Sequence, residues 1–247
     1  MKKAFKTSIL IAIAVMASGV FCGWLLRWGN GERVLEKKVD AGIVGIKAKN
    51  SKFDYFLSVP SSQKSFDDKL PLLVILHGRG ESGIPYVTAF KKDVAAHRLI
   101  VAAPDWEKSF LHGKSRYEDY YSLADHIVTA YSADQRNIFI MGVSAGSLLT
   151  RALVKNDPKR WAGVILVASD PYVGWAKQVD VATFPPILYV HGEQDEQFGY
   201  AALAQSVEVL RKNGFDVELV KDAAGGHEYK TEWGQLVLRW IQKKIKN

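Results

Sequence analysis

The chain has 247 residues, of which 48% are hydrophobic and 24% are charged, and its formal net charge at pH 7 is +7. This length and composition predict one large globular domain and exclude a wholly disordered chain. The first 27 residues contribute +4 of this net charge, on Lys2, Lys3, Lys6 and Arg27, and contain no acidic residue. The remaining sequence is weakly basic and lacks any motif of a nucleic-acid-binding module, so we expect no binding to nucleic acid. The single cysteine, Cys22, excludes intrachain disulfides and cysteine-based metal sites, and we predict neither a metal nor a cofactor.

The first predicted element is an N-terminal transmembrane or signal helix over residues 1–27. Residues 7–26 carry no charge, and a helix of about 20 apolar residues spans the hydrocarbon core of a bilayer. The lysines on its short N-terminal side predict that the rest of the chain lies outside the cytoplasm. Small residues at 15–17 and 17–19 are compatible with signal cleavage, but the apolar stretch continues past both sites. We therefore expect a cell-envelope protein with a membrane anchor, which would be secreted if this segment is cleaved.

The rest of the chain is predicted to form one α/β domain. Residues 28–50 are polar and charged, which is typical of a tether leading into a first edge strand, and residues 51–247 alternate between apolar and amphipathic stretches. The predicted strands are 55–59, 70–76, 99–103, 137–141, 163–168, 186–190 and 217–220. The predicted helices are 117–131, 146–156, 199–213 and 232–245. Continuously apolar strands separated by helices predict a doubly wound, mostly parallel sheet that is covered on both faces.

A glycine-rich pentapeptide, Gly142-Val-Ser144-Ala-Gly146, follows the predicted strand 137–141. In a G-x-S-x-G pattern between a strand and a helix, a sharp turn exposes the serine hydroxyl as a nucleophile. The same five letters also occur by chance in ordinary strand-ending turns. The loops after neighbouring strands decide between these interpretations, because the carboxyl ends of parallel strands share one edge of the sheet.

One of these loops, His77-Gly-Arg-Gly80, directly follows the predicted strand 70–76. Two of its residues lack a Cβ, so its backbone can approach a ligand closely. The backbone N–H of Arg79 can therefore act with that of Ala145 to stabilise an oxyanion. The alternative is a simple turn that ends the strand.

Two further loops supply an acid and a base. Asp195 follows the predicted strand 186–190, and its carboxylate can orient a histidine, with Glu193 and Glu196 as competitors for that role. His227 follows two glycines after the last predicted strand, in a loop from which it can reach a serine. A serine is a weak nucleophile until a base of this kind takes its proton.

Ser144, Asp195 and His227 follow one another in the order nucleophile, acid, base, which is the order of the α/β hydrolases. Residues 50–245 resemble the α/β hydrolases of the esterase, phospholipase/carboxylesterase and polyhydroxyalkanoate-depolymerase-like group. The resemblance is specific at four segments, residues 77–83, 134–147, 191–198 and 225–229. The resemblance implies the α/β-hydrolase fold and a catalytic triad made of these three residues.

The resemblance also matches Arg79 and Ala145 to the backbone donors of the group's oxyanion hole. The chain departs from the group at Ser147, where many relatives have a further glycine directly after the pentapeptide. Packing of the helix that follows is therefore expected to differ. The sequence contains no inserted lid segment, which argues against a lipase activated at an interface.

The predicted function is that of a serine esterase, a carboxylic-ester hydrolase that forms an acyl-enzyme on Ser144. The expected substrate is a small-molecule or carbohydrate-linked ester. Residues 104–122 are rich in aromatic side chains, so Trp106 and Tyr117, together with His77, are candidate substrate-binding residues. Packing against the following helix explains these aromatic residues equally well. Two alternatives stay open: a prolyl-oligopeptidase-like serine peptidase, and a non-catalytic envelope binding protein on a hydrolase scaffold.

Overall fold

A computed structural model of the chain describes residues 26–29, 32–40, 43–48, 54–60, 68–106 and 116–246. The predicted N-terminal helix over residues 1–27 lies outside this range, except that Leu26 and Arg27 belong to the first strand. Backbone pairing with the next strand places these two residues in a sheet. The described residues include no helix long and apolar enough to cross a membrane.

The described strands form one sheet. They are β1 (Leu26–Gly29), β2 (Glu32–Asp40), β3 (Ile43–Ala48), β4 (Asp54–Ser58), β5 (Leu70–Leu76), β6 (Ile100–Pro104), β7 (Ala133–Val143), β8 (Gly163–Val167), β9 (Ile187–Gly192) and β10 (Val217–Asp222). Their spatial order is β1-β2-β3-β4-β6-β5-β7-β8-β9-β10. Neighbours from β6 to β10 are parallel, whereas β1 to β4 are antiparallel to one another and β4 is antiparallel to β6. The mostly parallel sheet predicted from the sequence is confirmed.

Helices cover both faces of the sheet. They are α1 (Ile84–His97), α2 (Tyr117–Tyr131), α3 (Ala145–Asn156), α4 (Tyr200–Lys212) and α5 (Trp233–Lys244). Side chains of β5 show why both faces need cover. Leu72 and Val74 pack with α2, α3 and α4, whereas Leu73 and Ile75 pack with α1 and α5 on the opposite face. Full burial of such a side chain contributes about 1.5–3 kcal/mol, so both layers of helices stabilise the sheet.

The N-terminal strands differ from the prediction for residues 28–50. Instead of a tether and one edge strand, the chain forms three antiparallel strands, β1 to β3, with β3 pairing with β4. Six of the nine residues of β2 are charged. Antiparallel strands tolerate charged residues because one face of the sheet can remain in water. The composition therefore resembles that of a loop although the backbone is a strand.

Helix α1 was absent from the predicted elements. Its residues Tyr86, Val87 and Phe90 are buried against the sheet. Apolar residues of this 14-residue segment lie on more than one side of the helix, at 84, 86–87, 89–90 and 94–96, so its helical periodicity is weak. Pro85 lies in the first turn of the helix. Proline is compatible with this position because the N–H group that it lacks would have no carbonyl partner within the helix.

Candidate active site

Ser144 lies at the sharp turn between β7 and α3, in a backbone conformation that serine rarely adopts. Its φ is 50° and its ψ is −115°, and such strain persists only where the surrounding structure enforces it. Close packing at the two flanking glycines enforces it here. A Cβ on Gly142 would lie 2.5 Å from the carbonyl oxygen of Gly146, and a Cβ on Gly146 would lie 2.1 Å from the carbonyl oxygen of Leu76. Only glycine fits at these two positions.

Three polar side chains meet at this turn. Ser144 Oγ is 2.8 Å from His227 Nε2, and His227 Nδ1 is 2.8 Å from Asp195 Oδ2. A carboxylate only accepts hydrogen bonds, so Nδ1 donates one to Asp195. In the neutral imidazole, Nε2 then accepts a hydrogen bond from the serine hydroxyl. The structure thus brings into one hydrogen-bonded line the residues that the sequence predicted as nucleophile, base and acid.

Asp195 accepts three hydrogen bonds and lies beside a second histidine. Its Oδ1 accepts the backbone N–H groups of Gln197 at 2.9 Å and Phe198 at 2.8 Å. Its Oδ2 accepts from His227, and His191 Nε2 lies 3.3 Å from the same oxygen. The residue is only 4% exposed. A buried carboxylate needs such a set of donors to offset the loss of water around its charge.

The two acids that competed with Asp195 point elsewhere. Glu193 Oε1 accepts a hydrogen bond from Lys221 Nζ at 2.8 Å, and both side chains are substantially exposed. Glu196 is exposed to solvent. Within the described part of the chain, Asp195 is the acid in contact with His227.

His191 is a neighbour of the acid that sequence reasoning did not assign to the site. Its ring is fully buried, and its Nε2 lies 2.6 Å from the carbonyl oxygen of Phe198. That oxygen only accepts, so Nε2 carries a proton, and this N–H group lies 3.3 Å from Asp195 Oδ2. The available signal was its position at the end of the buried strand β9, four residues before the acid.

Ser144 opens onto a cavity of about 530 Å³. Leu148, Ala168 and Phe198 contribute apolar walls, and Gln197 and Glu228 contribute polar ones. The cavity lies at the sheet edge where β5, β7, β9 and β10 end. An apolar cavity with a few convergent polar groups is typical of a small-molecule site.

The two predicted oxyanion donors, Arg79 and Ala145, line the same cavity. Ala145 is the first residue of α3, so its N–H has no carbonyl partner within the helix. The start of α3 is pressed against the Arg79 loop, because a Cβ on Gly146 would lie only 2.6 Å from the carbonyl oxygen of His77. This contact keeps the two donors on adjoining walls.

Glu81 fixes the shape of the loop that contains Arg79. Its Oε2 accepts the backbone N–H of Gly78 at 3.0 Å and the hydroxyl of Tyr86. Burial raises the pKa of Tyr86 above its ordinary value, and the hydrogen bond to Glu81 raises it further, so this hydroxyl remains a donor. Glu81 also lines the cavity. The sequence signal for it was an acid directly after the His77–Gly80 turn.

The three candidate substrate-binding residues do not line this cavity. His77 and Trp106 are 1% and 3% exposed, and Trp106 Nε1 donates to the carbonyl oxygen of His77 at 3.1 Å. Tyr117, the first residue of α2, packs against the core. Aromatic side chains are stabilised by burying their large apolar area. These residues therefore brace the loop and the helix, and the prediction that they meet the substrate here is not supported.

Comparisons with known proteins find hydrolases that this chain is similar to. The prolyl oligopeptidase family matches residues 104–184. Over 162 residues the chain is 25% identical to the carboxylesterase SOBER1 of Arabidopsis thaliana, covering 62% of this chain and 67% of that protein. The structure of S-formylglutathione hydrolase from Staphylococcus aureus superposes with a TM-score of 0.62 at 17% identity, covering 78% of this chain and 93% of the other.

A second Staphylococcus aureus protein, the fluorophosphonate-binding serine hydrolase F, has a TM-score of 0.63 at 15% identity. The match covers 88% of this chain and 99% of the other. The α/β-hydrolase fold and the resemblance to the esterase group are confirmed by these comparisons: the chain has the α/β-hydrolase fold and is similar to a carboxylesterase.

Proposed function

We propose that this serine esterase hydrolyses carboxylic esters through an acyl-enzyme on Ser144. The observation that carries the proposal is the continuous line of hydrogen bonds from Ser144 through His227 to Asp195, each 2.8 Å long. The line ends at the wall of an open cavity that Arg79 and Ala145, the two proposed oxyanion donors, also line. A nucleophile, a base, an orienting acid and oxyanion donors are the groups that acyl transfer requires.

In the first half of the proposed reaction, Ser144 Oγ attacks the carbonyl carbon of the ester. His227 Nε2 takes the hydroxyl proton, and the Asp195 carboxylate stabilises the resulting imidazolium. The carbonyl oxygen becomes an oxyanion that the N–H groups of Arg79 and Ala145 stabilise. As the tetrahedral intermediate collapses, the bond to the alcohol oxygen breaks and His227 returns the proton to it, which leaves the acyl group on Ser144.

In the second half, water takes the place of the alcohol. His227 removes a proton from the water as it attacks the acyl carbon, and the oxyanion forms again in the same place. Collapse breaks the bond to Ser144 Oγ, which recovers its proton from His227. The products are the carboxylic acid, the alcohol and the original enzyme.

The same groups can in principle cleave an amide, and one observation favours a peptidase as the second candidate. That observation is the match of the prolyl oligopeptidase family to residues 104–184. The similarity to a carboxylesterase covers a larger part of the chain and favours an ester. A non-catalytic binding protein gains nothing from a serine hydroxyl aligned on a buried His–Asp pair, so we do not favour that alternative.

The test is labelling by a fluorophosphonate probe, which traps an activated serine. We expect Ser144→Ala to abolish labelling and Ser206→Ala to retain it. Ser206 is a suitable control because its hydroxyl donates to the carbonyl oxygen of Pro171 and takes no part in the cavity around Ser144. Labelling that persists in Ser144→Ala would show that Ser144 is not the nucleophile.

The substrate is narrowed by a panel of p-nitrophenyl esters of increasing acyl length, an acetylated sugar and a matched p-nitroanilide. We expect turnover of esters to exceed that of the anilide by several orders of magnitude. Faster cleavage of the anilide would replace the esterase proposal by the peptidase alternative. Ser144→Ala serves as the blank for each substrate.

We further propose that the N-terminal segment holds the catalytic domain at the outer face of a membrane. The support is the uncharged stretch 7–26, preceded by three lysines. The full chain should stay in the membrane fraction through high-salt and carbonate washes and keep its original N-terminus. A soluble product whose N-terminus begins after residue 17 or 19 would instead identify a cleaved signal and a secreted enzyme.

A further inference from the structure

We propose that Ser147, acting with Ser169 and Arg151, positions the backbone N–H of Ala145 as an oxyanion donor. The inference rests on the proposed hydrolase function and adds positioning residues to it. Position 147 is where the sequence departs from the group that it resembles, because serine stands there in place of glycine. The hydroxyl that this difference introduces is not on the surface. Ser147 is 0% exposed.

The Ser147 hydroxyl forms a hydrogen bond with the backbone carbonyl group of Ser144, the proposed nucleophile. Its Oγ donates to the carbonyl oxygen of Ser144 at 2.6 Å, and the backbone N–H of Ser147 donates to the same oxygen at 2.9 Å. One residue therefore places two donors on this carbonyl oxygen. The hydroxyl of Ser147 adds a side-chain hydrogen bond to the backbone bonds that hold the strained peptide after Ser144.

Ser147 is in turn held by a buried chain of donors. Its Oγ lies 3.0 Å from Ser169 Oγ, and Arg151 Nη1 lies 3.4 Å from Ser169 Oγ. The Ser144 carbonyl only accepts hydrogen bonds and the guanidinium only donates them. The Ser169 hydroxyl has one proton, and its oxygen lies closer to Ser147 Oγ than to its other acceptor, the carbonyl oxygen of Asp170 at 3.4 Å. Arg151 therefore donates to Ser169, Ser169 to Ser147, and Ser147 to the carbonyl of the nucleophile.

Arg151 is itself immobilised. Its side chain is 7% exposed and forms an ion pair with Asp170, and its Nη1 also lies 3.2 Å and 3.3 Å from the carbonyl oxygens of Asp170 and Tyr172. A buried ion pair with additional hydrogen bonds has a defined geometry. The chain of donors that ends at Ser144 consequently starts from a fixed point.

The link to catalysis is the planarity of the peptide bond. The carbonyl group of Ser144 and the N–H of Ala145 belong to one peptide unit, which is planar and trans, so the two groups point in opposite directions. Fixing the carbonyl in the protein interior therefore fixes the direction of the N–H toward the cavity that Ala145 lines. Hydrogen bonds accepted by the carbonyl also polarise the unit and strengthen its N–H as a donor.

The proposal predicts a selective loss in the transition state. Loss of a whole oxyanion donor lowers kcat by about 10²–10³-fold, and a donor that is only misdirected should cost less. We expect Ser147→Ala to lower kcat about 10-fold with KM unchanged, because the oxyanion exists only after attack. Affinity for a trifluoromethyl ketone, which forms a tetrahedral oxyanion adduct with the serine, should fall by the same factor.

Thr150→Val is the matched control. Thr150 lies on the same helix and is 0% exposed like Ser147, but its hydroxyl has no hydrogen-bond partner among the described residues. This variant should keep the wild-type kcat and ketone affinity. Should Ser147→Ala fail to fold, Ser169→Ala cuts the chain of donors one bond further away and should lower kcat about 3-fold, also with KM unchanged.

Wild-type kcat and ketone affinity in a folded Ser147→Ala would overturn the inference, as would an equal loss in Thr150→Val. A rise in KM with kcat unchanged would also overturn it, since that result indicates altered substrate binding instead of a misdirected donor. Failure of the underlying function is recognised separately, because Ser144→Ala would then retain labelling by the fluorophosphonate probe.

Discussion

The turn around Ser144 and the loop around Asp195 each present one side chain of the proposed triad, but different forces hold them in place. At the turn, Gly142 and Gly146 lie so close to neighbouring backbone that no Cβ can be accommodated. At the acid loop, donors converge on one buried carboxylate. Steric exclusion leaves a single allowed residue and is visible in the sequence. Hydrogen bonds to a carboxylate can come from many spacings and leave no such mark.

The steric half of this comparison predicts the largest effect, in Gly146→Ala. The new Cβ would lie 2.1 Å from the Leu76 carbonyl oxygen, and overpacking of this kind lowers the free energy of unfolding by about 3 kcal/mol. Because relief requires the start of α3 to move, esterase activity should fall to background. Thermal unfolding and ester turnover measure the two effects.

Gly199→Ala is the control for that substitution. A Cβ at Gly199 would have nothing within 4 Å, so stability should change by less than about 1 kcal/mol and activity should persist. If Gly146→Ala behaved like Gly199→Ala, close packing would not be what holds the turn.

The same contrast explains what the sequence could predict. The parallel strands were predicted because their apolar runs are continuous, and β5 begins and ends at the predicted residues. Ser144 was marked by its glycines. Asp195 was predicted as the acid from its place in the chain order, but the sequence left Glu193 and Glu196 as competitors, because it does not show which carboxylate is buried under converging donors. The partnership of His191 with that acid was missed for the same reason.

The electrostatic half of the comparison predicts a loss of rate that far exceeds the loss of stability, in Asp195→Asn. The amide would direct an N–H at His227 or leave its Nδ1 without a carboxylate partner, which favours the wrong tautomer of the base. We expect kcat to fall by about 10⁴-fold, with a loss of about 1 kcal/mol in the free energy of unfolding. Initial rates and chemical denaturation measure the two quantities.

Glu193→Gln and Glu196→Gln are the matched controls for the acid, because both remove a carboxylate from the same loop. Each should retain activity within about 2-fold, as expected for an exposed surface group. A 10³-fold loss in either control, with Asp195→Asn still active, would transfer the role of the acid to that glutamate.

His191 offers a smaller test of the hydrogen-bonded loop. His191→Leu removes the donor that faces Asp195 and the Phe198 carbonyl oxygen, and a buried acceptor left unpaired costs about 1–3 kcal/mol. We expect kcat to fall about 10-fold, as the acid gains freedom to move relative to His227. His191→Gln keeps an N–H donor and should recover part of the loss in kcat. Equal losses in the two variants would mean that ring packing, and not the hydrogen bond, is what matters.

The smallest effect is expected for Trp106→Phe. This substitution tests whether a residue that packs against a loop also contacts the substrate. The substitution removes the N–H that donates to the His77 carbonyl oxygen but keeps an aromatic ring in the buried position. Loss of one neutral hydrogen bond lowers the free energy of unfolding by about 1 kcal/mol. Because Trp106 is 3% exposed and does not line the cavity around Ser144, KM for every ester in the panel should stay within about 2-fold of wild type. A KM that rises selectively for aromatic or sugar esters would restore Trp106 as a substrate contact and show that the cavity extends beyond its present walls.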